Sequence, residues 1–313
     1  MSDSNFSIVF PGQGSQSVGM LKELAENFTL MEETFTEASD ALGFDLWKLV
    51  REGPAEELNQ TQNTQPAMLT AGVAVWRIWQ AEGGATPAVM AGHSLGEYSA
   101  LVCAGAIKFP EAVSLVAERG QFMQEAVPTG AGGMAAILGL EDEQVREICA
   151  QAAENEIVEA VNFNSPGQVV IAGARAAVDR ACDLAKAAGA KRALPLPVSV
   201  PSHCALMQPA AERLSERLVE IDIEMPGIPV LHNVNVAQAA DPQRLRQHLA
   251  EQLYRPVRWV ETIHAMAGMQ VEMIIEAGPG KVLTGLTKRI DRKLNGLAIY
   301  DIDGLKKALE ALQ

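Results

Sequence analysis

The segment AVMAGHSLGEYSALVCAGA, residues 88–106, constrains the fold more than any other part of the sequence. Its first five residues are apolar or small and predict a buried strand, and the residues after Gly96 have a helical pattern. The two glycines of GHSLG allow the sharp turn that a strand needs to run directly into a helix. A strand that feeds a helix in this way is typical of a parallel α/β sheet.

Strand and helix patterns also alternate through the two outer parts of the chain. Short apolar runs predict strands, whereas apolar residues at helical spacing, often ended by glycine, predict helices. The predicted strands are 6–10, 88–92, 228–233 and 271–278, and the predicted helices are 20–42, 66–82, 209–221, 242–254, 257–267 and one after Gly280. These parts predict a large α/β-hydrolase-like domain with a parallel sheet.

The middle of the chain has a different order of elements. Strand patterns at 132–140, 157–163, 168–173 and 191–196 combine with helical patterns at 141–154 and 175–188. This β-α-β-β-α-β order is that of ferredoxin-like domains. We therefore expect a small ferredoxin-like domain at 128–199, inserted into a large, discontinuous domain formed by 1–127 and 200–313.

Charge and composition exclude several classes of function. With 25 Lys and Arg against 39 Asp and Glu, the net charge of −14 argues against nucleic acid as the main partner. No apolar stretch reaches the ~20 residues of a membrane span, and the first residues lack the pattern of a secretory signal. The four cysteines are far apart, which predicts no metal site and favours a reducing compartment. We expect a cytoplasmic protein.

Ser94 lies at the centre of G-x-S-x-G, the pattern of a nucleophile elbow. In such an elbow the turn projects the serine hydroxyl out of the sheet and points the next backbone N–H, here that of Leu95, at an oxyanion. The alternative is that Ser94 only caps the helix that follows. Its position at a predicted strand–helix junction favours the nucleophile.

A serine nucleophile needs a base, and the chain has five histidines. His203 lies in VPSHCALM, a loop between a predicted strand and a predicted helix, where catalytic residues concentrate. His232 ends a predicted strand and is a second possibility. The immediate neighbour of the serine and two histidines at predicted exposed helix positions are less suitable, namely His93, His248 and His264. We predict that His203 is the base.

Arg119 falls on the apolar face of a helix predicted within 110–127. A guanidinium on such a face needs a partner, because an unpaired buried charge is costly. The partner is either an internal carboxylate, in a salt bridge, or a substrate carboxylate held by two parallel hydrogen bonds. The spacing of the residues leaves both possibilities open.

The glycine-rich segment PGQGSQSVG, residues 11–19, follows the first predicted strand. It is similar to a dinucleotide-binding loop, but Ser17 stands where the third glycine belongs, and no acidic residue ends a second strand at the expected distance. We therefore reject nucleotide binding. The backbone N–H groups of the turn are still suited to an oxyanion, and Gln13 is the best placed.

Eight segments of the sequence occur in an order that is known from one family of enzymes. The segments are FPGQGSQ, QPA, GHSLGEYSAL, ERGQFMQ, NFNSPGQVVIAG, VPSHCALM, QLYRPVRW and GPGKVLTGL. Together, from about Phe6 to Ile290, they resemble the malonyl-CoA:acyl carrier protein transacylases, in particular the free-standing bacterial type. After Ile290 the resemblance is too weak to use.

The resemblance implies a ping-pong acyl transfer in fatty acid biosynthesis. Ser94 would attack malonyl-CoA with His203 as general base, and the malonyl group would then pass to the phosphopantetheine thiol of acyl carrier protein. The backbone N–H groups of Gln13 and Leu95 would form the oxyanion hole, and Arg119 would bind the malonyl carboxylate. The two substrates suffice for this reaction, so we expect no cofactor and no metal.

The resemblance also gives roles to further residues. The backbone carbonyl of Gln252 would orient the histidine, and Gln65 and Asn162 lie in motifs that line the family's cleft. The carrier protein of this pathway is acidic, so an acidic enzyme needs local basic residues to bind it. The candidates for contact with carrier protein or CoA are Lys191, Arg192, Lys281, Lys288 and Arg289. We expect a monomer, since coiled-coil heptads are absent and the composition is acidic.

Two other functions stay open at the level of the sequence. A serine hydrolase or thioesterase of the α/β class would share the elbow and use water as acceptor. The inserted domain, the buried arginine and the lack of a placed acid between Ser94 and His203 argue against it. A scaffold that binds CoA or carrier protein without chemistry would keep the fold, but the intact Ser94, His203 and Arg119 argue against it. The choice between malonyl and methylmalonyl groups depends on pocket volume near Arg119.

Overall fold

The computed structural model describes residues 5–198 and 200–312. Within them lie two separate sheets, one parallel and one antiparallel. The strands are β1 Phe6–Phe10, β2 Val89–Gly92, β3 Gly132–Leu138, β4 Val158–Ser165, β5 Gln168–Ala174, β6 Arg192–Pro195, β7 Val230–Leu231, β8 Met273–Ala277 and β9 Asn295–Ile299. The protein therefore has the mixed α/β fold that the sequence predicts.

Helices connect most of these strands and cover the sheets. They are α1 Lys22–Asn27, α2 Thr29–Leu42, α3 Leu46–Glu52, α4 Ala55–Leu58, α5 Thr61–Ala81, α6 Gly96–Cys103, α7 Phe109–Ala126, α8 Asp142–Ala153, α9 Arg175–Ala187, α10 Gln208–Val219, α11 Pro242–Glu251, α12 Trp259–Gly268, α13 Val282–Ile290 and α14 Ile302–Glu310. A short 3₁₀ turn, Ala205–Met207, precedes α10.

The parallel sheet has the strand order β7-β2-β1-β8-β9, with β1 at its centre. Ile8 in β1 is paired with Met90 in β2 on one side and with Ile275 in β8 on the other. All residues of these three strands are buried, as expected for parallel strands that are covered on both faces. Because the strands are parallel, the loops that follow β1, β2 and β8 lie at the same edge of the sheet.

The antiparallel sheet has the order β4-β5-β3-β6 and packs against α8 and α9. Apolar side chains of the sheet, such as Ile137 and Ile171, and of the helices, such as Val178, form a core separate from the core around the parallel sheet. Strand β4 also contacts the other part of the chain, since Val257 N–H donates to Val161 O over 2.8 Å. The predicted domain boundary involves Ser199, which lies outside the described residues, and the division into domains stays a prediction.

Two predicted helices have different bounds in the structure. The helix predicted at 20–42 is divided into α1 and α2, because Phe28 has an extended backbone (φ −131°, ψ 113°). The helix predicted to start at Pro66 starts at Thr61 and includes this proline. Pro66 lies near the start of α5, where its missing N–H removes the hydrogen bond to a single early carbonyl. The predicted start of this helix at Pro66 was therefore wrong.

The end of the chain contains structure that the sequence analysis did not predict. After Ile290, β9 adds a fifth strand to the parallel sheet, and α14 follows it. The strand begins with Asn295 and Gly296, and its first four residues are not fully buried. Such an edge strand lacks the continuous apolar run by which the central parallel strands are predicted.

Gly120 allows the close packing of α5 against α7. A Cβ atom at Gly120 would lie 2.7 Å from Gln62 Cα and 2.8 Å from Thr61 O, both in the backbone of α5. We expect Gly120→Ala to lower the free energy of unfolding by ~1–3 kcal/mol because the two helices must separate. Urea denaturation measures this change.

Gly285 provides the matched control for that substitution. It also lies inside a helix, α13, but a Cβ atom there would have no neighbour within 4 Å. We expect Gly285→Ala to raise the free energy of unfolding by ~0.5–1 kcal/mol, since alanine loses less backbone entropy than glycine. Equal effects of the two substitutions would show that the contact between α5 and α7 is not tight.

Candidate active site

Ser94 lies in a tight turn between the end of β2 and the start of α6. The residues on either side approach backbone closely: a Cβ atom at Gly92 would lie 1.8 Å from Gly96 C, and one at Gly96 would lie 2.1 Å from Phe10 O. Only glycine fits at both positions. Ser94 itself has φ +52°, in the left-handed region that costs a non-glycine residue ~1–3 kcal/mol. These features agree with the elbow that GHSLG predicts.

Two amide side chains hold the backbone of Ser94 in this conformation. Ser94 N–H donates to Asn233 Oδ1 over 2.7 Å, and Gln252 Nε2 donates to Ser94 O over 3.0 Å. Asn233 Nδ2 also donates to Gly92 O, at 2.7 Å. Hydrogen bonds to the peptide groups on both sides of Ser94 thus stabilise the strained turn.

The hydroxyl of Ser94 contacts the histidine that the sequence analysis selected. Ser94 Oγ lies 2.7 Å from His203 Nε2, and His203 Nδ1 lies 2.7 Å from the backbone oxygen of Gln252. A carbonyl oxygen can only accept, so Nδ1 carries the proton of the neutral ring and Nε2 is left as the acceptor that faces Ser94. His203 also has a left-handed backbone (φ +68°), and its N–H donates to Leu253 O over 2.8 Å.

The surroundings of His203 favour its neutral form. Burial is the main cause that lowers the pKa of His203 from 6.5 to about 3, and the positive charge of Arg119 is the second cause. The side chain is 2% exposed. A neutral imidazole whose free nitrogen faces a serine hydroxyl can accept the hydroxyl proton, as a general base does.

Arg119 is buried, as predicted, and both of its terminal nitrogens bind amide oxygens. Nη1 donates to Gln65 Oε1 over 2.7 Å and Nη2 donates to Gln252 Oε1 over 3.0 Å. The guanidinium also lies over the ring of Tyr98, 5.4 Å from its centre. Among the described residues, no carboxylate forms an ion pair with Arg119 within 4.0 Å. The internal salt bridge, one of the two partners considered for this arginine, is therefore not found there.

The structure places the two predicted cleft residues differently. Gln65 is fully buried and contacts Arg119 directly, and its Nε2 lies 3.5 Å from Met123 Sδ. Asn162 lies in β4, where it pairs with Val257, and its buried Oδ1 has no hydrogen-bond partner among the described residues. A role for either residue in binding substrate stays a prediction.

The two predicted oxyanion residues follow neighbouring strands. Gln13 is exposed in the loop after β1, and Leu95 is the buried residue directly before α6. These loops are in contact, because a Cβ atom at Gly12 would lie 2.5 Å from His93 O. His93 Nε2 in turn lies 2.7 Å from Asn164 Oδ1, which brings the end of β4 to the same place. The oxyanion hole itself stays a prediction.

Glu97 is a buried residue of this site that the sequence analysis missed. Its Oε1 lies 2.8 Å from His232 Nδ1, and its Oε2 accepts from the backbone N–H of Asn233 over 2.8 Å and from Gln252 Nε2 over 3.0 Å. One signal in the sequence could have indicated it: Glu97 is the single charged residue of the otherwise apolar or small segment GEYSALVC. His232 is buried against this carboxylate and is not bonded to Ser94.

The prediction for one of the remaining histidines was wrong. His248 was expected at an exposed helix position but is 8% exposed, and its ring lies 4.8 Å from that of His232. Its Nε2 pairs with Asn235 Nδ2 at 3.1 Å. The turn that contains Asn235 covers this face of α11, and such a contact is not visible in the periodicity of the helix. His264 is exposed, as expected.

The five basic residues predicted to contact a partner are exposed, and most of them lie close together. Arg192 is paired with Leu138 across β6 and β3, and Leu138 is paired with Gln168 in β5. Arg289 of α13 donates from Nη1 to Gln168 Oε1 over 2.7 Å. The chain neighbours Lys191 and Lys288 are also exposed, whereas Lys281 is at the opposite end of α13. None of the five forms an ion pair within the described residues.

Neither a metal site nor a membrane-spanning helix is found in the part of the chain that the structure describes. The described residues contain no group of three or more His, Cys, Asp or Glu side chains that could hold a metal ion. No helix in residues 5–198 and 200–312 has both the length and the apolar character that a membrane crossing requires.

Comparison with known proteins places this chain in a class of acyl-transferring proteins. The family model described as acyl transferase domain matches residues 7–307. A relative from Salmonella typhimurium, described as malonyl CoA-acyl carrier protein transacylase, is 60% identical over 306 residues, which cover 98% of this chain and 99% of the relative.

Solved structures give the same result. An acyl carrier protein S-malonyltransferase from Vibrio cholerae superposes with a TM-score of 0.95 at 60% identity, covering 97% of this chain and 99% of that one. A malonyl transacylase in complex with its type II PKS acyl carrier protein has a TM-score of 0.97 at 57% identity, covering 98% and 100%. The chain therefore belongs to the malonyl-CoA:acyl carrier protein transacylases, within the acyl transferase domain family.

The low pKa of His203 gives a prediction for the pH dependence of Ser94. A neutral fluorophosphonate that labels Ser94 should react at an almost constant rate from about pH 8 to about pH 5, because a group with a pKa of about 3 stays unprotonated throughout. An ordinary histidine would lose about 30-fold in rate at the acid end of that range. Intact mass measures the labelling, and Ser94→Ala is the control.

Arg119→Met tests the electrostatic part of this pKa shift. Removing the positive charge should raise the pKa of His203 toward its usual value and so move the loss of reactivity to higher pH. A wild-type profile that falls near the usual histidine pKa would show that His203 is not held neutral in this way.

Proposed function

We propose that this protein transfers a malonyl group from malonyl-CoA to the phosphopantetheine thiol of acyl carrier protein, through a malonyl ester on Ser94, in fatty acid biosynthesis. One arrangement carries the proposal: the Ser94–His203–Gln252 chain of hydrogen bonds lies beside an arginine whose partners are neutral amides. The names of the relatives support the same substrates.

The first half of the reaction forms the ester. Ser94 Oγ attacks the thioester carbonyl carbon while His203 Nε2 takes the hydroxyl proton, and the negative charge on the carbonyl oxygen is stabilised by the N–H groups of Gln13 and Leu95. The C–S bond then breaks, and the CoA sulfur leaves with the proton from His203. The products are malonyl-Ser94 and free CoA.

The second half reverses these roles with a different thiol. The phosphopantetheine thiol of the carrier protein gives its proton to His203, and its sulfur attacks the ester carbonyl. Ser94 Oγ leaves and takes the proton back from His203. Because the second acceptor is a thiol and the ester is consumed, the enzyme returns to its starting state without any cofactor.

Arg119 is proposed to select the malonyl group by its carboxylate. A guanidinium has five N–H donors, and the structure shows amide partners for two of its nitrogens, which leaves donors for a bound anion. An acetyl group would bury this charge without an anionic partner, which is unfavourable. Gln65 is proposed to hold Arg119 on one side, and Asn162 to line the cleft near the end of β4.

Intact mass after mixing with malonyl-CoA tests the proposed function. The wild type should gain one malonyl group and lose it to a phosphopantetheinylated carrier protein, whereas Ser94→Ala should gain none. Ser215→Ala, at an exposed serine of α10, is the matched control and should behave as the wild type. We expect Arg119→Met to lower kcat/KM for malonyl-CoA by about 100-fold or more while acylation by acetyl-CoA persists.

Other outcomes of the same experiment would contradict the proposal. Free malonate that accumulates without a thiol acceptor would indicate a serine hydrolase. The absence of both adduct and turnover would indicate a scaffold that binds without chemistry. Malonylation of Ser94→Ala at the wild-type rate would exclude Ser94 as the nucleophile.

We also propose that the exposed basic residues bind the acidic carrier protein or the phosphates of CoA. Four of them, Lys191, Arg192, Lys288 and Arg289, lie around one end of the antiparallel sheet. Lys281 comes three residues after Gly278. A Cβ atom at Gly278 would lie 3.0 Å from Pro11 Cγ, so this segment is close to the start of the glycine-rich loop. Positive charge would thus lie both at this end of the antiparallel sheet and near the loop that contains Gln13.

Charge reversal tests this surface. Arg192→Glu combined with Arg289→Glu should raise KM for the carrier protein by about tenfold or more and weaken its salt dependence. Lys48→Glu is the control, because Lys48 is exposed on α3, a helix that packs against α2, α4 and α5. Unchanged KM and unchanged salt dependence in the double variant would exclude these residues from the contact.

We also propose a domain organisation, a compartment and an oligomeric state for the protein. The strand order β4-β5-β3-β6 with α8 and α9 supports a ferredoxin-like domain at 128–199, set into a hydrolase-like domain of 1–127 and 200–313. The four unpaired cysteine thiols support a reducing compartment, which we take to be the cytoplasm. We propose that the enzyme works as a monomer.

A further inference from the structure

Glu97 is the feature of the site that the proposed reaction does not use. It is fully buried in the first turn of α6 and accepts hydrogen bonds from three neighbours, His232, Asn233 and Gln252. It touches neither the hydroxyl of Ser94 nor the ring of His203 in the structure. A buried carboxylate is costly unless such bonds satisfy it, so its presence beside the reacting groups calls for an explanation.

We propose that Glu97 is a positioning residue that sets the selectivity for a substrate carboxylate, by fixing which end of the Gln252 amide faces Arg119. The inference rests on the proposed function, because the selectivity in question is that of malonyl over acetyl transfer. Glu97 acts through Gln252 and does not contact the substrate.

The two ends of the Gln252 side-chain amide differ in their hydrogen bonding. Nε2 can only donate and Oε1 can only accept. Nε2 faces two oxygens, Ser94 O and Glu97 Oε2, both at 3.0 Å, while Oε1 faces Arg119 Nη2, also at 3.0 Å. In this orientation every close contact joins a donor to an acceptor.

The reversed amide would be unfavourable at every one of these contacts. Its oxygen would face the oxygens of Ser94 and Glu97, and its NH₂ group would face a guanidinium that has no acceptor. Of the two oxygens that prevent the reversal, the carboxylate of Glu97 is the stronger, because hydrogen bonds to an ionised acceptor are roughly twice as strong as neutral ones. Without Glu97, only the carbonyl of Ser94 would hold Nε2 in place.

The same carboxylate also binds the backbone of Asn233, whose side-chain amide contacts Ser94. Asn233 donates its backbone N–H to Glu97 Oε2 and accepts the N–H of Ser94 with Oδ1. Glu97 is therefore hydrogen-bonded to Asn233 and Gln252, the two residues that bind the backbone N–H and C=O of Ser94. This arrangement connects the turn that carries Ser94 to the arginine that would bind the carboxylate of the substrate.

Replacement of Glu97 by two different residues separates positioning from stability. Glu97→Met keeps the length of the side chain but removes both oxygens, and it should lower the ratio of kcat/KM for malonyl-CoA to that for acetyl-CoA by about tenfold or more. Glu97→Gln should keep most of this ratio, because its amide oxygen can still accept from Asn233 and Gln252. Its NH₂ group would face His232 Nδ1, which accepts when the proton of the neutral ring is on Nε2. Initial rates of Ser94 acylation, followed by intact mass, give the ratio.

Glu276 is the matched control. It is also a fully buried glutamate, in β8, and it accepts from Leu283 N–H, Thr284 N–H and Thr284 Oγ1 instead of from residues of the site. Glu276→Met should lower the melting temperature but leave the malonyl-to-acetyl ratio unchanged, since loss of folded protein lowers both rates equally. An equal change of the ratio in Glu276→Met and Glu97→Met would overturn the inference.

Gln252→Met keeps the test decisive if Glu97→Met does not fold. This variant leaves Glu97 and the backbone carbonyl that binds His203 in place and removes only the side-chain amide. It should therefore lower the malonyl-to-acetyl ratio of kcat/KM to the same extent as predicted for Glu97→Met. A wild-type ratio in Gln252→Met would overturn the inference. If the wild type itself is not acylated by malonyl-CoA, the proposed function fails and the inference fails with it.

Discussion

The carbonyl oxygen of Phe10 occupies the space that a side chain at Gly96 would need, and the rest of the site depends on this contact. Because α6 starts directly against the end of β1, the chain between β2 and α6 has only three residues in which to turn. The turn places Ser94 in a left-handed conformation and leaves its hydroxyl free to meet His203. The same contact brings the loop that contains Gln13 beside the elbow.

Gln252 connects His203 to Arg119. Its backbone oxygen binds His203 Nδ1, and its side-chain oxygen binds Arg119 Nη2. Because one residue contacts both groups, Gln252 couples the position of His203 to that of Arg119. A shift of the backbone at the end of α11 would therefore change both the basicity of His203 and the proposed binding of a carboxylate by Arg119.

The features that sequence predicts best are those with a local cause. The elbow follows from two glycines that approach backbone, and the central parallel strands follow from continuous apolar runs, so both are visible within a few residues. His203 was selected from five histidines by its place in a loop, and the structure brings it to Ser94 across 109 residues of sequence. That contact agrees with the prediction, while the catalytic role itself stays a prediction.

The features that sequence did not predict depend on contacts between distant segments. Glu97 meets Asn233 across 136 residues, and no pattern of residue types near either position encodes that contact. The buried position of His248 has the same cause, since it is covered by a turn outside its own helix. The amides that contact Arg119 bind it through their oxygens, so their effect depends on which end of each amide faces the guanidinium. That orientation depends on partners from distant segments, and the local sequence therefore does not predict it.

In the proposed reaction, the charge of Arg119 would link the choice of substrate to the reactivity of His203. In the protein without substrate, this positive charge is among the causes that lower the pKa of His203, and a lower pKa means a weaker base. A carboxylate bound to Arg119 would offset that charge and raise the pKa of His203 toward its usual value. In the proposed reaction, a malonyl group therefore strengthens the base that activates Ser94, whereas an acetyl group leaves it weak. The arginine would then discriminate twice, once in binding and once in the chemical step.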